Sequence, residues 1–455
     1  MLRELAFASL FARQSLQAIA PRADVNNSDL DPLRFNSGGT FQICIFSDLH
    51  FAQGMSQKQE DMLSVTNEDA DASTIGPEKD ARSVKVMSDV LDAESPDLVV
   101  INGDLINGES TYLENSTHYV DQIVGPMVDR NLTWASTYGN HDHNRNINGS
   151  GILEREQMWP GARTDSMVPG DDVGTTNYYL PVFASNCSQN CTPELILWFF
   201  DSRGGFYYQG GSLPNWVHTD VVEWFNDTNA DLVEEYGREI PSLAFAHIPL
   251  YASLQLQKDG IDENNQPGIN DETVIQQGAG WCAEDDDDDR GCDYGNQDLP
   301  LMRALIATPG VIGVFSGHDH DNSWCYKWDS QVGDMDIAGN GINLCYGQHT
   351  GYGGYGDHIR GGRQIIITQE GLRNHEVDTH IRLESDDVVG AISLNSTYND
   401  DYYEATPDQK TYLSDASSAS PVPSSIPSSL ATQRIPAILS SPAVFFTVAV
   451  LGLMM

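Results

Sequence analysis

Five short polar clusters contain the side-chain types that bind metal ions or transfer protons, and each follows closely on a short apolar run. The apolar runs have the length and β-branched content of strands that are buried on both faces. We therefore place the clusters at the carboxyl ends of strands, where α/β folds position their chemistry. In chain order the clusters are Asp48-Leu49-His50, Asn102-Gly103-Asp104, Gly139-Asn140-His141-Asp142, His247-Ile248-Pro249 and Gly317-His318-Asp319-His320.

Carboxylate, amide and imidazole groups without a thiolate favour zinc, iron or manganese over calcium or a cysteine-type structural zinc site. Asp48 and His50 alternate along an extended segment, as do His318 and His320. Each pair can therefore reach a single ion after a slight bend. The complete set is larger than one tetrahedral ion requires and suits two ions that share a carboxylate. The clusters offer at least seven possible ligands: two to four carboxylates, one amide oxygen and four to five imidazoles.

The ordered set resembles that of the calcineurin-like metallophosphoesterase superfamily, over roughly Phe41 to Leu383. The His247-Ile248-Pro249-Leu250 segment and the glycine-rich stretch from Tyr346 to Arg363 resemble the purple acid phosphatase-related branch most closely. The resemblance implies a first metal ion on Asp48, His50, Asp104 and His320, and a second on Asp104, Asn140, His247 and His318, with Asp104 bridging. It also implies that His141 lies outside the metal shell, near the leaving-group oxygen.

Two positions differ from true purple acid phosphatases. Their first motif has glycine where this chain has His50, and their tyrosine ligand falls where this chain has Asn107. Without a tyrosinate ligand there is no tyrosinate-to-iron charge transfer, so we predict a colourless protein. The expected cofactors are two divalent or trivalent ions of iron, zinc or manganese, and the ligand set leaves the choice among them open.

These residues predict a phosphatase that hydrolyses phosphomonoesters. Two cations ~3.5–4 Å apart lower the pKa of a bound water and neutralise the phosphoryl oxygens, so that metal-bound hydroxide can attack. His141 is the expected general acid, because the pKa of imidazole is naturally near neutrality. Asp142 could orient that imidazole or stabilise its charged form. Two alternatives stay open: a phosphodiesterase acting on a lipid or glycan phosphate, and a catalytically inactive cell-surface protein that binds metal.

Other polar residues near the clusters are predicted to have supporting roles. Asp319 faces away from its two histidine neighbours and is expected to support them. His143 and His349 are candidates for contacts with substrate or with the ligands. Arg145 could grip a phosphate oxygen, although a surface role is the simpler interpretation.

Helical periodicity occurs between the predicted strands, in Pro77–Ala93, Val120–Val128, Trp216–Phe225 and Leu299–Ile306. Pro126 is expected to kink or end the second of these helices. Alternating strands and helices, together with the family resemblance, predict an α/β fold: a four-layer α-β-β-α sandwich of two mixed sheets.

A polar insertion, residues 253–297, follows the His247 cluster and could form a lid over the metal site. Its run Asp285–Asp289 is read as a solvated charge block, with calcium binding as the alternative. The glycine-rich stretch Gly351–Gly356 is expected to be a loop near the site.

A formal net charge of −42 excludes nucleic acid as a favoured partner and disfavours an anionic membrane surface. Export is indicated by a signal-like segment at residues 1–20, for which an amphipathic helix is the alternative. Asn-x-Ser/Thr sequons predict N-linked glycans at Asn26, Asn115, Asn131, Asn148, Asn186, Asn190, Asn226 and Asn395. Plausible disulfides in an oxidising compartment join Cys187 with Cys191, Cys282 with Cys292, and Cys325 with Cys345. Cys44, within the first predicted strand, is expected to be a buried apolar residue.

The predicted domain organisation is a linker at residues 21–39, a metallophosphoesterase domain at 40–385 and a Ser/Pro-rich stalk at 386–434. Residues 435–455 form an apolar C-terminal segment of the kind that directs attachment of a GPI anchor, with a transmembrane tail anchor as the alternative. These features predict a protein of the secretory pathway that is held by a lipid anchor at the cell surface or cell wall.

Overall fold

The strands expected before the five polar clusters all form, and they are divided between two sheets. The structure is a computed structural model that describes residues 31–53, 76–188, 191–282, 292–333 and 335–411. Its strands are β1 (Leu33–Arg34), β2 (Thr40–Phe46), β3 (Leu98–Asn102), β4 (Trp134–Thr137), β5 (Tyr178–Phe183), β6 (Leu195–Phe200), β7 (Ser242–Ala246), β8 (Val311–Ser316), β9 (Cys325–Trp328), β10 (Ile342–Tyr346), β11 (Gly361–Thr368), β12 (Val377–Leu383) and β13 (Val388–Leu394).

Both sheets mix parallel and antiparallel pairs. One sheet has six strands in the order β13-β12-β11-β2-β3-β4, and the other has seven in the order β1-β5-β6-β7-β8-β10-β9. β2, β3 and β4 are mutually parallel in the first sheet, and β6, β7 and β8 are mutually parallel in the second. Parallel strands bring their carboxyl ends to the same edge of each sheet, which is where the polar clusters follow.

The core between the sheets is built by alternate residues of these strands. Ile43 and Val100 of one sheet belong to the same buried cluster as Leu197 and Phe245 of the other. The intervening residues face outward and pack against helices, as Phe46 does in a second cluster. The helices are α1 (Gly76–Glu94), α2 (Ser116–Asp129), α3 (Gly149–Glu156), α4 (Thr219–Tyr236), α5 (Tyr251–Asp259), α6 (Leu299–Ala307) and α7 (Gln369–Leu372). The predicted α-β-β-α sandwich of two mixed sheets is thus confirmed.

Three expectations about the elements need correction. α2 passes through Pro126 and ends at Asp129, because the buried neighbour Met127 anchors its last turn in the core. α4 begins at Thr219, so Trp216 lies before it. The polar insertion starts with a helix rather than a loop, since α5 covers Tyr251–Asp259 and buries Leu254 and Leu256.

The folded part of the chain also extends past the boundaries expected from composition. β13 pairs with β12 in the six-stranded sheet, although it lies beyond residue 385. β1 pairs with β5 at the edge of the seven-stranded sheet, although it lies in the expected linker. Farther along the chain, Lys410 forms a β-bridge with His358. β1 has only two residues and leaves little trace in the composition. β13 is longer and buries Ile392 and Leu394 in the core between the sheets.

All three expected disulfides form: Cys187–Cys191, Cys282–Cys292 and Cys325–Cys345. Cys44 is a buried free cysteine, as predicted. None of the helices in the described ranges has the length and apolar character needed to cross a bilayer. The expected signal, the stalk beyond residue 411, the apolar C-terminal segment, Asp285–Asp289, and the sequons at Asn26 and Asn190 lie outside the described residues.

Candidate metal centre

The candidate ligands lie in the connections that leave the carboxyl ends of β2, β3 and β4 in one sheet and of β7 and β8 in the other. Several have a left-handed backbone, with φ of 58° at Asp48, 48° at His50, 51° at Asp104 and 75° at His318. For residues with a side chain this conformation costs about 1–3 kcal/mol each, and such strain is concentrated at functional sites. The sharp turns aim consecutive polar side chains into one space between the sheets.

Two groups of ligand atoms result, each gathered within 4.8 Å: Asp48 with His50 and His320, and Asp104 with His247 and His318. A third group of this kind, His50 with Asp104 and His141, overlaps both of them. The closest approach in the first group joins the Nε2 atoms of His50 and His320, at 3.1 Å. In the second, His247 Nε2 lies 3.1 Å from Asp104 Oδ2.

Asp104 lies between the two groups. Its Oδ2 is also 3.5 Å from His50 Nε2, which belongs to the first group. His247 Nε2 in turn lies 3.9 Å from Asp48 Oδ1. A single carboxylate within reach of both groups is the arrangement that a pair of ions with a shared ligand requires.

Glycines let the ligands pack this closely. A Cβ atom at Gly103 would lie 2.2 Å from His247 Nδ1, and one at Gly139 would lie 2.3 Å from Asp104 Oδ1. The absence of a side chain at these two glycines lets His247 and Asp104 lie directly against the backbone. Alanine at either position would displace one of these ligands.

The donors suit a metal ion, and Asn140 provides the clearest sign. Within the described ranges, no hydrogen-bond partner exists for its buried Oδ1. An unpaired buried amide oxygen is costly unless something binds it. His247 donates from Nδ1 to the carbonyl oxygen of Asn102 at 2.9 Å, which leaves Nε2 directed at the centre.

The charge states of the imidazoles are also compatible. Burial lowers the pKa of His50 to about 4 and that of His318 to about 3, and it lowers the pKa of His320 as well. Neutral imidazole is the form that binds metals. His247 differs: burial opposes its charge, but Asp104 outweighs that effect and raises its pKa to about 10. The carboxylate that would attract a cation here attracts a proton in the same way.

His141 lies at the edge of the centre and pairs with Glu109. Its Nδ1 is 2.9 Å from Glu109 Oε1, and its ring meets that of His50 edge-on with centroids 4.8 Å apart. Burial opposes the charged imidazole, but the negative charges of Asp104 and Glu109 prevail and raise the pKa of His141 to about 9. The contact with Glu109 thus favours the protonated imidazole, which is the form that a proton donor needs.

The carboxylate of Asp142 does not orient the imidazole of His141, which was the role expected for it. Its carboxylate accepts hydrogen bonds from the backbone N–H groups of Gly139, Leu105 and Ile106. It thereby ties the connection after β4 to the one after β3, and Glu109 orients the imidazole of His141 in its place. The sequence offered no signal for Glu109, which follows Asp104 by five positions on a short 3₁₀ turn, Gly108–Ser110.

The two remaining candidate histidines, His349 and His143, contact different partners. His349 packs against His320 with ring centroids 4.0 Å apart and ring planes at 43°, so it supports a ligand. His143 pairs with the buried Asp201, a partner that the sequence did not reveal, at 3.0 Å.

Two further residues are explained by their contacts. Arg145 is exposed and lies over the ring of Phe206 at 4.1 Å, in keeping with a surface role. Asp319 accepts a hydrogen bond from the hydroxyl of Tyr346 at 2.8 Å, and this contact holds the segment between the two histidines of its cluster.

A second group of carboxylates around an imidazole lies elsewhere in the structure. His358 is buried, with Asp271 Oδ2 3.2 Å from its Nε2 and Asp408 Oδ1 3.3 Å from its Nδ1. Lys410 Nζ lies 3.1 Å from Asp408 and 3.6 Å from Asp271. An ammonium group thus already occupies the position of a cation. We call this set the His358 cluster.

Comparison with known proteins connects the centre to one family. Residues 41–322 match the family described as calcineurin-like phosphoesterase. This range contains all the candidate ligands and His141.

Among similar proteins, two from Arabidopsis thaliana match across most of their length. "Probable inactive purple acid phosphatase 28" is 25% identical, over 71% of this chain and 74% of its own. "Probable inactive purple acid phosphatase 29" is 28% identical, over 71% of this chain and 75% of its own. A solved structure, a dimetal phosphatase from Danio rerio, shares 13% identity at a TM-score of 0.46, over 80% of this chain and 99% of that one.

Proposed function

The chain belongs to the calcineurin-like phosphoesterase family, and we propose that it is a dinuclear metal-dependent phosphatase that hydrolyses phosphomonoesters. The observation that carries the proposal is the position of Asp104 between two groups of ligand atoms. In this proposal Asp48, His50, Asp104 and His320 hold one ion, and Asp104, Asn140, His247 and His318 hold the other.

When bound, two such ions would neutralise phosphoryl oxygens and lower the pKa of a water molecule, which is the chemistry that ester hydrolysis needs. The contributions of the chain itself are positional. Backbone strain and motif glycines fix the ligands before substrate arrives. Preorganised groups of this kind lower the barrier because they do not have to reorient during the reaction.

We assign the proton donor to His141. Its imidazole is one-third exposed, so an ester oxygen can reach it, and Glu109 holds it in place and favours its protonated form. The proton passes to the leaving alkoxide as the P–O bond breaks, and Glu109 stabilises the imidazolium until that moment. Asp142 has a structural part, because its hydrogen bonds hold the connections that carry Asp104 and His141.

A second candidate is a metal-binding protein without turnover. It is favoured by the names of the two plant relatives, which describe those proteins as inactive. The intact set of candidate ligands and the Glu109–His141 pair favour an active enzyme in this chain.

We also propose that the protein is exported. The three disulfides suit an oxidising compartment. Exposed sequon asparagines at Asn115, Asn131, Asn186 and Asn226 are accessible to glycosylation. Attachment through a lipid anchor stays a prediction from the sequence.

The test combines metal content with paired assays. Elemental analysis of the purified protein should find about two ions of iron, zinc or manganese per chain, and a chromogenic monoester should be hydrolysed faster than the matching diester. Faster hydrolysis of the diester would replace the proposal with a phosphodiesterase. Two bound ions without turnover of either ester between about pH 4 and 8 would favour the binding protein.

A further inference from the structure

Tyr355 of the glycine-rich loop forms one wall of the metal centre. Its ring stacks on that of His320, with centroids 4.0 Å apart and planes 9° from parallel. Its carbonyl oxygen accepts a hydrogen bond from His320 Nδ1 at 2.9 Å. The side chain remains 47% exposed. Tyr355 therefore orients a candidate ligand and also presents a surface that a bound ester can contact.

Glu272 of the polar insertion is attached to this wall. Its carboxylate accepts hydrogen bonds from the hydroxyl of Tyr355 and, at 3.1 Å, from the backbone N–H of Asp321. Asp321 directly follows the candidate ligand His320, so this hydrogen bond places the carboxylate of Glu272 beside the centre. The insertion thus places one negative charge at the edge of the site. The sequence predicted only that the insertion could cover the site as a lid.

A second carboxylate stands beside His141. Glu109 is half-exposed and is held by the imidazole of that histidine. The centre is therefore flanked by Glu109 next to the candidate proton donor and by Glu272 next to His320. Both carboxylates are fixed by hydrogen bonds, so neither can easily turn away from an approaching anion.

We propose that Glu109 and Glu272 make the entrance selective for phosphate esters of uncharged or cationic alcohols, such as sugars, polyols or amino alcohols. The inference rests on the proposed function, since it concerns the alcohol that leaves next to His141. Bound metal ions would balance the negative charge of the phosphoryl group. An additional anionic group on the alcohol is repelled mainly by Glu272, because the charge of Glu109 is partly balanced by the imidazolium of His141. At about 8 Å, one like charge costs roughly 2- to 30-fold in affinity, depending on the local dielectric.

The experiment uses the full chain loaded with its metals and compares kcat/KM for glucose 6-phosphate, phosphocholine and 3-phosphoglycerate. The wild-type protein should disfavour 3-phosphoglycerate by about tenfold, and added salt should reduce this preference because it screens exposed charges. Glu272→Gln should reduce the preference for glucose 6-phosphate over 3-phosphoglycerate, measured as the ratio of their kcat/KM values, by about threefold or more. Glu263→Gln is the matched control: Glu263 is an exposed carboxylate on the same insertion, and the ratio should stay unchanged.

Equal kcat/KM values for the three esters, or an unchanged ratio in Glu272→Gln, would overturn the inference. If no ester is hydrolysed, the proposed function fails but the selectivity is still measurable. Calorimetry would then compare the binding of 3-aminopropylphosphonate and phosphonoacetate to the metal-loaded protein. A preference for the cationic compound that Glu272→Gln reduces supports the inference, and equal binding rejects it.

Discussion

Two groups of carboxylates and imidazoles in this protein differ in how their charge is balanced. At the metal centre the side chains of Asp48 and Asp104 are only 2% exposed. In the described part of the chain, neither forms an ion pair with a lysine or arginine. In the His358 cluster, Asp271 and Asp408 are more than half exposed, and Lys410 lies between them. The second cluster thus contains a lysine as its cation, whereas the carboxylates of the first are paired, within that part of the chain, only with imidazoles.

The comparison shows that ligand type and proximity do not by themselves define a metal site. A carboxylate buried without a counter-charge is costly, and a bound ion removes that cost. Solvent and an ammonium group remove it equally well in the His358 cluster. Burial of both carboxylates and the absence of a lysine or arginine partner among the described residues distinguish the metal centre.

The largest expected effect comes from Asp104→Asn. Removing the carboxylate shared by both groups should lower the metal content, and phosphatase activity should fall by about a thousandfold, since bound ions supply several kcal/mol of charge stabilisation. Elemental analysis and a chromogenic assay measure the two effects. Asp408→Asn makes the same chemical change in the His358 cluster and should leave both unchanged. Full activity in Asp104→Asn would refute the dinuclear centre.

A smaller effect is expected from Glu109→Gln. Burial disfavours the imidazolium of His141, but Asp104 and Glu109 raise its pKa to about 9. A proton donor works below its pKa, so the loss of Glu109 should move the alkaline limb of kcat to lower pH. On that limb kcat should fall up to about tenfold for each pKa unit lost.

The pH profile of kcat from about pH 5 to 10 measures this shift. Asp271→Asn, which removes a carboxylate from His358, is the control and should not move the limb. An unchanged limb in Glu109→Gln would mean that His141 is not the donor.

The smallest effect is expected from Lys410→Met, which removes the cation of the His358 cluster. Because Asp271 and Asp408 are largely exposed, water should screen most of their repulsion. We expect a loss of about 1 kcal/mol or less in the free energy of unfolding. Denaturant titration measures it, with metal content unchanged. If Lys410→Met instead bound a third metal ion, the ammonium group of Lys410 would be what keeps the His358 cluster from binding metal.

Much of the centre could be predicted from the sequence, because its signals are local. Each apolar run that forms a buried strand is followed within a few residues by its polar cluster, and both features are properties of short segments. The fold class and the disulfide pairs were predicted correctly for related reasons, since strand and helix patterns alternate and the cysteines lie close in sequence.

Contacts between distant segments were decided by tertiary structure alone. Glu109, Asp201, Glu272 and Tyr355 have no distinctive spacing, and each gains its part from a partner that packing brings near. The sequence by itself determined which donor atoms end each strand. The face-to-face packing of two sheets decided which of those atoms meet, because only buried apolar contacts across the whole domain set the distance between strand ends.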